Sequence, residues 1–279
     1  MRNRIILNKN GTLTDLSSDL GYYHSGSGSA YLAASTDYLY IGQRYPFNHL
    51  FFKSGVANDE IATLSIDLWD GNTWNAVAEI IDTTDAFTTS GFITWVPNKL
   101  KSWLRDDTVD SSGNEQITGF GTDTIIYDRY WMRISTDVTL KDTTALSWIG
   151  NLFCTDDDIY AEYSQFSRSS YLTGWETGKT TWEEQRIIAS DLVIDYMIDH
   201  NIINHSGQII ERELLRNACV SRVAELIFTP FGDDYEDDRQ KAYKKFQDRM
   251  NKRLFVVDQN KNATVDVYET NIRTGTLYR

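Results

Sequence analysis

Acid–base or metal chemistry would first be sought at the four histidines, His24, His49, His200 and His205. None stands at metal-ligand spacing from a second donor. His24 lies beside a Gly/Ser turn and His49 in a strand-like run, so a solvated and an ordinary sheet side chain are expected. His200 and His205 follow a helical pattern, which predicts dipole compensation and solvent exposure. The sequence contains no Gly-x-Ser-x-Gly elbow, phosphate-binding glycine loop or His-Glu-x-x-His. Ser25-Gly26-Ser27-Gly28-Ser29 reads as a flexible polar turn. Glycoside hydrolysis needs two carboxyls roughly 5–9.5 Å apart. Asp156-Asp157-Asp158 is a candidate for that chemistry, but as a charge run it reads as a solvated loop. Cys154 and Cys219 fit small buried apolar sites, and neither has a His nearby in sequence. These residues point to no enzyme and imply no cofactor.

Binding chemistry has three further candidates. Asp258, Asn260, Asn262, Asp266 and Glu269 place oxygen donors at positions 1, 3, 5, 9 and 12 of a calcium loop. Ala263 stands where the sharp turn wants Gly, and the flanks Leu254–Val257 and Thr264–Tyr268 look like strands. A β-hairpin with a polar Asn-Lys-Asn turn is therefore preferred, with calcium as the alternative. Lys241, Lys244, Lys245, Arg249, Lys252 and Arg253 form a basic stripe at helical spacing. It reads as a solvated face or as a dock for an acidic partner, including a second copy of the chain. The aperiodic tail 270–279 reads as a frayed end or as an arm that orders on a partner through Tyr278 and Arg279.

The elements that must position these residues fall into two kinds. Up to about residue 175, β-branched and aromatic runs alternate with turns. Tyr38–Gly42, His49–Lys53, Ala62–Trp69, Thr73–Ile80, Gly91–Val96, Tyr130–Ser135 and Ala145–Ile149 read as strands. Asp70-Gly71-Asn72 is a hairpin turn signal. Beyond it the apolar period becomes helical. Thr180 with Glu183 and Thr181 with Glu184 suggest overlapping capping boxes. They precede a helix with apolar positions Ile188, Leu192, Tyr196, Val193 and Met197. A second helix follows Ser206-Gly207 on Ile210, Leu214, Leu215, Ala218, Cys219 and Val223. A third runs from the acidic stretch at Asp233 to about Arg253. The predicted class is α+β with two domains: an antiparallel, jelly-roll-like β-sandwich over 1–166, a linker over 167–178, a small helical bundle over 179–256, and a hairpin with a C-terminal arm over 257–279.

The 279 residues carry 27 Lys and Arg against 40 Asp and Glu, a formal charge of −13. That disfavours a general nucleic-acid coat. Two cysteines exclude a disulfide framework, and no run is apolar and long enough for a membrane helix. Residues 1–175 hold 12 basic and 22 acidic side chains, the remainder 15 and 18. The acidity is therefore expected to belong mainly to the β half.

The helical half resembles the head–tail connector (adaptor) proteins of tailed bacteriophages. The likeness lies in Thr181–Tyr196, Leu214–Phe228, Asp238–Phe246 and the Asp/Asn-rich turn Asp258–Asn262. The β half is similar to domains of phage virion proteins over Ile41–Leu50, Trp69–Trp74 and Ser90–Trp95. The resemblance implies a structural protein of the virion neck, made in the host cytoplasm. Copies would form a ring, twelve-fold in such connectors, on the portal protein, and would bind a downstream tail or neck protein. Double-stranded DNA would pass through the channel, and no membrane would be involved. Lys241, Lys245, Arg249, Lys252, Arg253, Tyr278 and Arg279 would then serve the ring and portal contacts. An alternative is a fibre or decoration protein whose β half binds host glycans through exposed aromatics.

Overall fold

The computed structural model describes residues 3–23, 26–34, 36–98, 101–210, 212–252, 254–255, 257 and 272–273. The chain is a mixed α/β protein with antiparallel sheets. It divides into two compact units: the first spans Met1–Gly150 and the second begins at Asn151.

The first unit contains, in order, β1 (Arg4–Lys9), β2 (Thr12–Asp15), the one-turn helix α1 (Ser17–Leu20), β3 (Gly28–Ser29), β4 (Tyr38–Gln43), β5 (His49–Val56), β6 (Leu64–Trp69), β7 (Trp74–Ala76), β8 (Glu79–Asp82), β9 (Gly91–Val96), β10 (Arg105–Asp106), β11 (Arg129–Thr136) and β12 (Ala145–Gly150). One sheet has the order β2-β1-β4-β11-β6-β7, with β10 also on β11. The other has the order β3-β12-β5-β9-β8. Alternation assigns the faces. Ile5 and Leu7, Leu39 and Ile41, Leu64 and Ile66, and Met132 and Ile134 of the first sheet join Leu50, Phe52, Ile93, Trp95, Leu146 and Ile149 of the second in one buried cluster. The opposite face of the first sheet is covered as well. Ile6, Tyr40, Trp69 and Trp131 pack there against Ile117, Phe120 and Ile126 from the segment before β11. Gly42 permits this packing, since a Cβ there would meet the Trp131 ring at 2.7 Å.

The expected hairpin turn is present. Gly71 has φ +95°, and the Asp70 carboxylate accepts the Asn72 and Thr73 amides at 2.9 and 2.8 Å. The single strand expected over Thr73–Ile80 is instead two. Trp74–Ala76 pairs with β6, and Glu79–Asp82 pairs with β9 of the other sheet. The chain changes sheets at Val77-Ala78, whose amides donate to Ile66 and Val96 respectively. Between β8 and β9, Asp85, Ala86 and Phe87 all have positive φ, at 51°, 50° and 68°.

The second unit contains α2 (Asp156–Glu162), α3 (Ser169–Trp175), α4 (Glu183–Asp199), α5 (Glu213–Phe228) and α6 (Glu236–Lys252). The helical unit thus starts well before the expected boundary, and residues 167–178 are not a linker. The reason is burial: Phe153, Cys154, Ile159, Phe166 and Leu172 lie in one core with Val193, Met197, Ala218, Val223, Phe246 and Met250.

The expected capping boxes of α4 do not form. Trp182 occupies the cap position, and no side chain caps the helix there. The Trp182 backbone N–H donates to the Asp156 carboxylate at 3.3 and 3.4 Å, and its fully buried indole donates to Phe166 O at 3.0 Å. Burying that indole outweighs a threonine cap. Leu254–Phe255 pairs with Ile272–Arg273, so part of the expected arm is strand. The hairpin turn expected at Asp258–Asn262 lies outside the described residues.

Candidate functional site

The basic stripe belongs to α6. The helix opens on Glu236, Asp237 and Asp238, which complement its N-terminal partial charge. Arg239 and Gln240 donate to Glu236 and hold its carboxyl down to about 2. Ala242, Phe246 and Met250 are buried, so the lysines between them face outward.

The stripe is not uniform. Lys241 is exposed and pairs with Asp238, one turn away, at 3.4 Å. Lys244 is exposed. Lys245 pairs with Glu162 at 3.2 Å. Arg249 turns into the unit: it donates to Asn217 O at 2.6 Å and to the Ser221 hydroxyl on α5, and pairs with Glu162 of α2 at 2.9 Å. Arg249 is thus a bracket among three helices. Lys252 ends the helix, and its side chain lies outside the described set. So do Arg253, Tyr278, Arg279 and the five calcium-loop residues Asp258, Asn260, Asn262, Asp266 and Glu269, together with His24. Among the described residues no group of His, Cys, Asp or Glu is arranged to hold a metal ion.

The structure adds a second face, on α4. On α4 the buried side is Gln185, Arg186, Ala189, Ser190, Val193, Ile194 and Met197. Ile188, expected in the apolar stripe, is 49% exposed, because the core side is rotated toward Arg186 and Ser190. Asp191, Asp195 and Asp199 are exposed at four-residue intervals. Like charges at this spacing disfavour the helix. Ile188 and Ile198 flank this row. The signal was present in the sequence as a strict i, i+4, i+8 acid repeat.

The remaining candidates have local roles. Asp156-Asp157-Asp158 form the first turn of α2. Asp158 completes a capping box with Thr155, and Asp156 pairs with Arg186 at 3.0 Å. Burial holds the Asp156 carboxyl above its usual range in spite of Arg186. Cys154 and Cys219 are both fully buried, with their sulfurs 3.3 Å apart. Burial, followed by its neighbour, pushes the Cys154 thiol up. His49 is buried in β5 and contacts the Asn48 side chain at 3.0 Å. His200 ends α4, stacks on Tyr196 and contacts its carbonyl at 2.8 Å. His205, expected in solvent, is 6% exposed, since the turn that contains it packs into the unit. None of the eight tryptophans is exposed, and the exposed aromatic of the first unit is Tyr127, at 65%.

These two units define a class no narrower than a mixed α/β protein with antiparallel sheets and a helical unit. Compared with known proteins, the chain matches no family model and no curated protein. No helix among the described residues is long and apolar enough to cross a membrane.

Proposed function

We propose that the chain is a structural assembly protein of a tailed-phage neck, a head–tail connector whose copies form a closed ring on the portal around the DNA path. The observation that carries this reading is the pair of unlike faces on one helical unit. The α4 face offers Asp191, Asp195 and Asp199 beside exposed Ile188 and Ile198. The α6 face offers Lys241 and Lys244, with Lys245 alongside. A ring needs heterologous contacts, in which one surface meets a different surface of the next copy. An acid row set against a lysine row supplies such a contact and penalises the like-on-like pairing that would close a dimer. The common core of the two sheets supports a β-sandwich reading of the first unit. Its partners would be the portal and a downstream tail or neck protein.

Mass photometry and negative-stain micrographs of the full chain, alone and with portal, test this directly. Rings are expected. The Lys241→Glu/Lys244→Glu pair should leave the fold intact and abolish them, and adding Asp191→Lys/Asp195→Lys to the same chain should restore them. A species that stays monomeric at micromolar concentration with portal present, or rings indifferent to both charge reversals, would sink the proposal.

A further inference from the structure

Three arginines converge at one end of the first sheet, although residues 1–150 carry 11 basic and 18 acidic side chains. Strands β1, β4 and β11 are consecutive and antiparallel. Arg4 begins β1 and sits opposite Gly42. Arg129 begins β11, and Arg44 follows the end of β4. The last pair between those two strands is Gln43 with Tyr130, so one more step of the register sets Arg44 opposite Arg129. Like charges in facing positions destabilise a sheet.

The local acids do not resolve the excess. Asp128, the sequence neighbour of Arg129, is bound by Arg105 at 2.7 Å. Asp15 pairs with Arg4 at 3.2 Å and also accepts the Ser17 amide. Arg129 itself is half-buried, and its Nε and Nη1 atoms are shielded from solvent with no hydrogen-bond partner among the described residues. Burial first, and then Arg44 and Arg4, pull its pKa below the usual arginine range. A desolvated guanidinium nitrogen with no acceptor is costly. The arrangement persists around a cavity of about 480 Å³, lined by the three arginines, Asn3, Ser17 and Ser18 among others.

We propose that this cavity is a binding site for a phosphate monoester carried on a small polar molecule of about sugar size. Three guanidiniums less the Asp15 carboxylate leave two positive charges, which match a dianion. Guanidinium forks fit tetrahedral oxyanions with paired hydrogen bonds. The volume falls in the range of small-molecule pockets, roughly 300–1,000 Å³, and leaves room for a carrier beyond the phosphate. The site lies wholly within the first unit and is independent of the ring reading.

Calorimetric titration of the full chain at low salt is the test, with four probes: inorganic phosphate, a hexose 6-phosphate, the unphosphorylated hexose and a hexuronate. The expected result is one-to-one binding of the hexose phosphate, weaker binding of inorganic phosphate, and none of the plain hexose. Arg44→Gln, at an exposed position, and Arg129→Gln should each weaken the hexose phosphate at least about tenfold. Both variants should also melt higher than the parent without ligand, because a repulsive charge is gone, and should lose the ligand-induced rise in melting temperature. That opposite pair of shifts separates a binding role from a structural one. No heat with either phosphate, equal binding of the hexuronate, or affinities unchanged in both variants would overturn the assignment.

Discussion

Arg249 shows how a side chain's partners can change the meaning of its spacing. By sequence it continues a basic face. In the structure it donates to Asn217 and Ser221 and pairs with Glu162, with a quarter of its side chain exposed. Arg249→Met should therefore lower the stability of the helical unit by about 1.5–3 kcal/mol, since it removes the charge-assisted hydrogen bonds that join α6 to α5 and α2. Lys241→Met, at a side chain 72% exposed, should change it by less than about 0.5 kcal/mol. Urea titration followed by far-ultraviolet circular dichroism checks both, and equal effects would remove the bracket role. The row at 241, 245 and 249 was legible as a helical face. Its division into outward and inward cations was not, because Glu162 stands 83 and 87 residues away from the side chains it binds. The two cysteines repeat the lesson. Each read as a buried apolar site, and their meeting across 65 residues carries no local signal.

At the scale of elements, periodic segments and apolar runs were readable and short helices were not. Strands β6 and β11 alternate with period two, β4, β5, β9 and β12 are short apolar runs, and the three long helices bury residues at three- and four-residue spacing. Helices α2 and α3 are only seven residues each, too short for periodicity to speak. The split of β7 from β8 depends on pairing with different sheets, which alternation along one segment does not encode. The turn between β8 and β9 is the least legible element. Three successive non-glycine residues there adopt left-handed backbone, at roughly 1–2 kcal/mol each. Asp82 holds it: its carboxylate accepts the Thr84 amide and hydroxyl at 2.7 and 2.6 Å and the Ala86 amide at 2.9 Å. Phe87 is thereby fully buried. Asp82→Ala should cost the first unit about 2–4 kcal/mol. Asp85→Gly, at an exposed positive-φ position, should leave stability unchanged or raise it by up to about 1 kcal/mol. Thermal melts of the two variants moving in the same direction would refute the strained-turn account.

For the whole molecule, the position of the boundary alters the electrostatics. Divided after residue 175, the chain looks like an acidic half beside a near-neutral one. Divided at Gly150/Asn151, where the compact units meet, residues 1–150 carry 11 basic and 18 acidic groups and residues 151–279 carry 16 and 22, or −7 and −6. The asymmetry between halves dissolves, and the useful contrast lies within the helical unit, between α4 and α6. The boundary can be tested by dissection. A fragment beginning at Asn151 keeps Phe153, Ile159, Tyr163, Phe166 and Leu172 in the core, together with the carbonyl that receives the Trp182 indole. A fragment beginning at residue 179 loses them all. At about 1.5–3 kcal/mol for each large buried side chain, that loss is on the order of 10 kcal/mol, comparable with the entire stability of an ordinary domain. The longer fragment should unfold in one cooperative transition and give a dispersed amide spectrum. The shorter one should show no cooperative transition and should bind a hydrophobic dye, as loosely packed helices do. Equal cooperativity in the two fragments would return the boundary to residue 179, and with it the charge asymmetry between the halves.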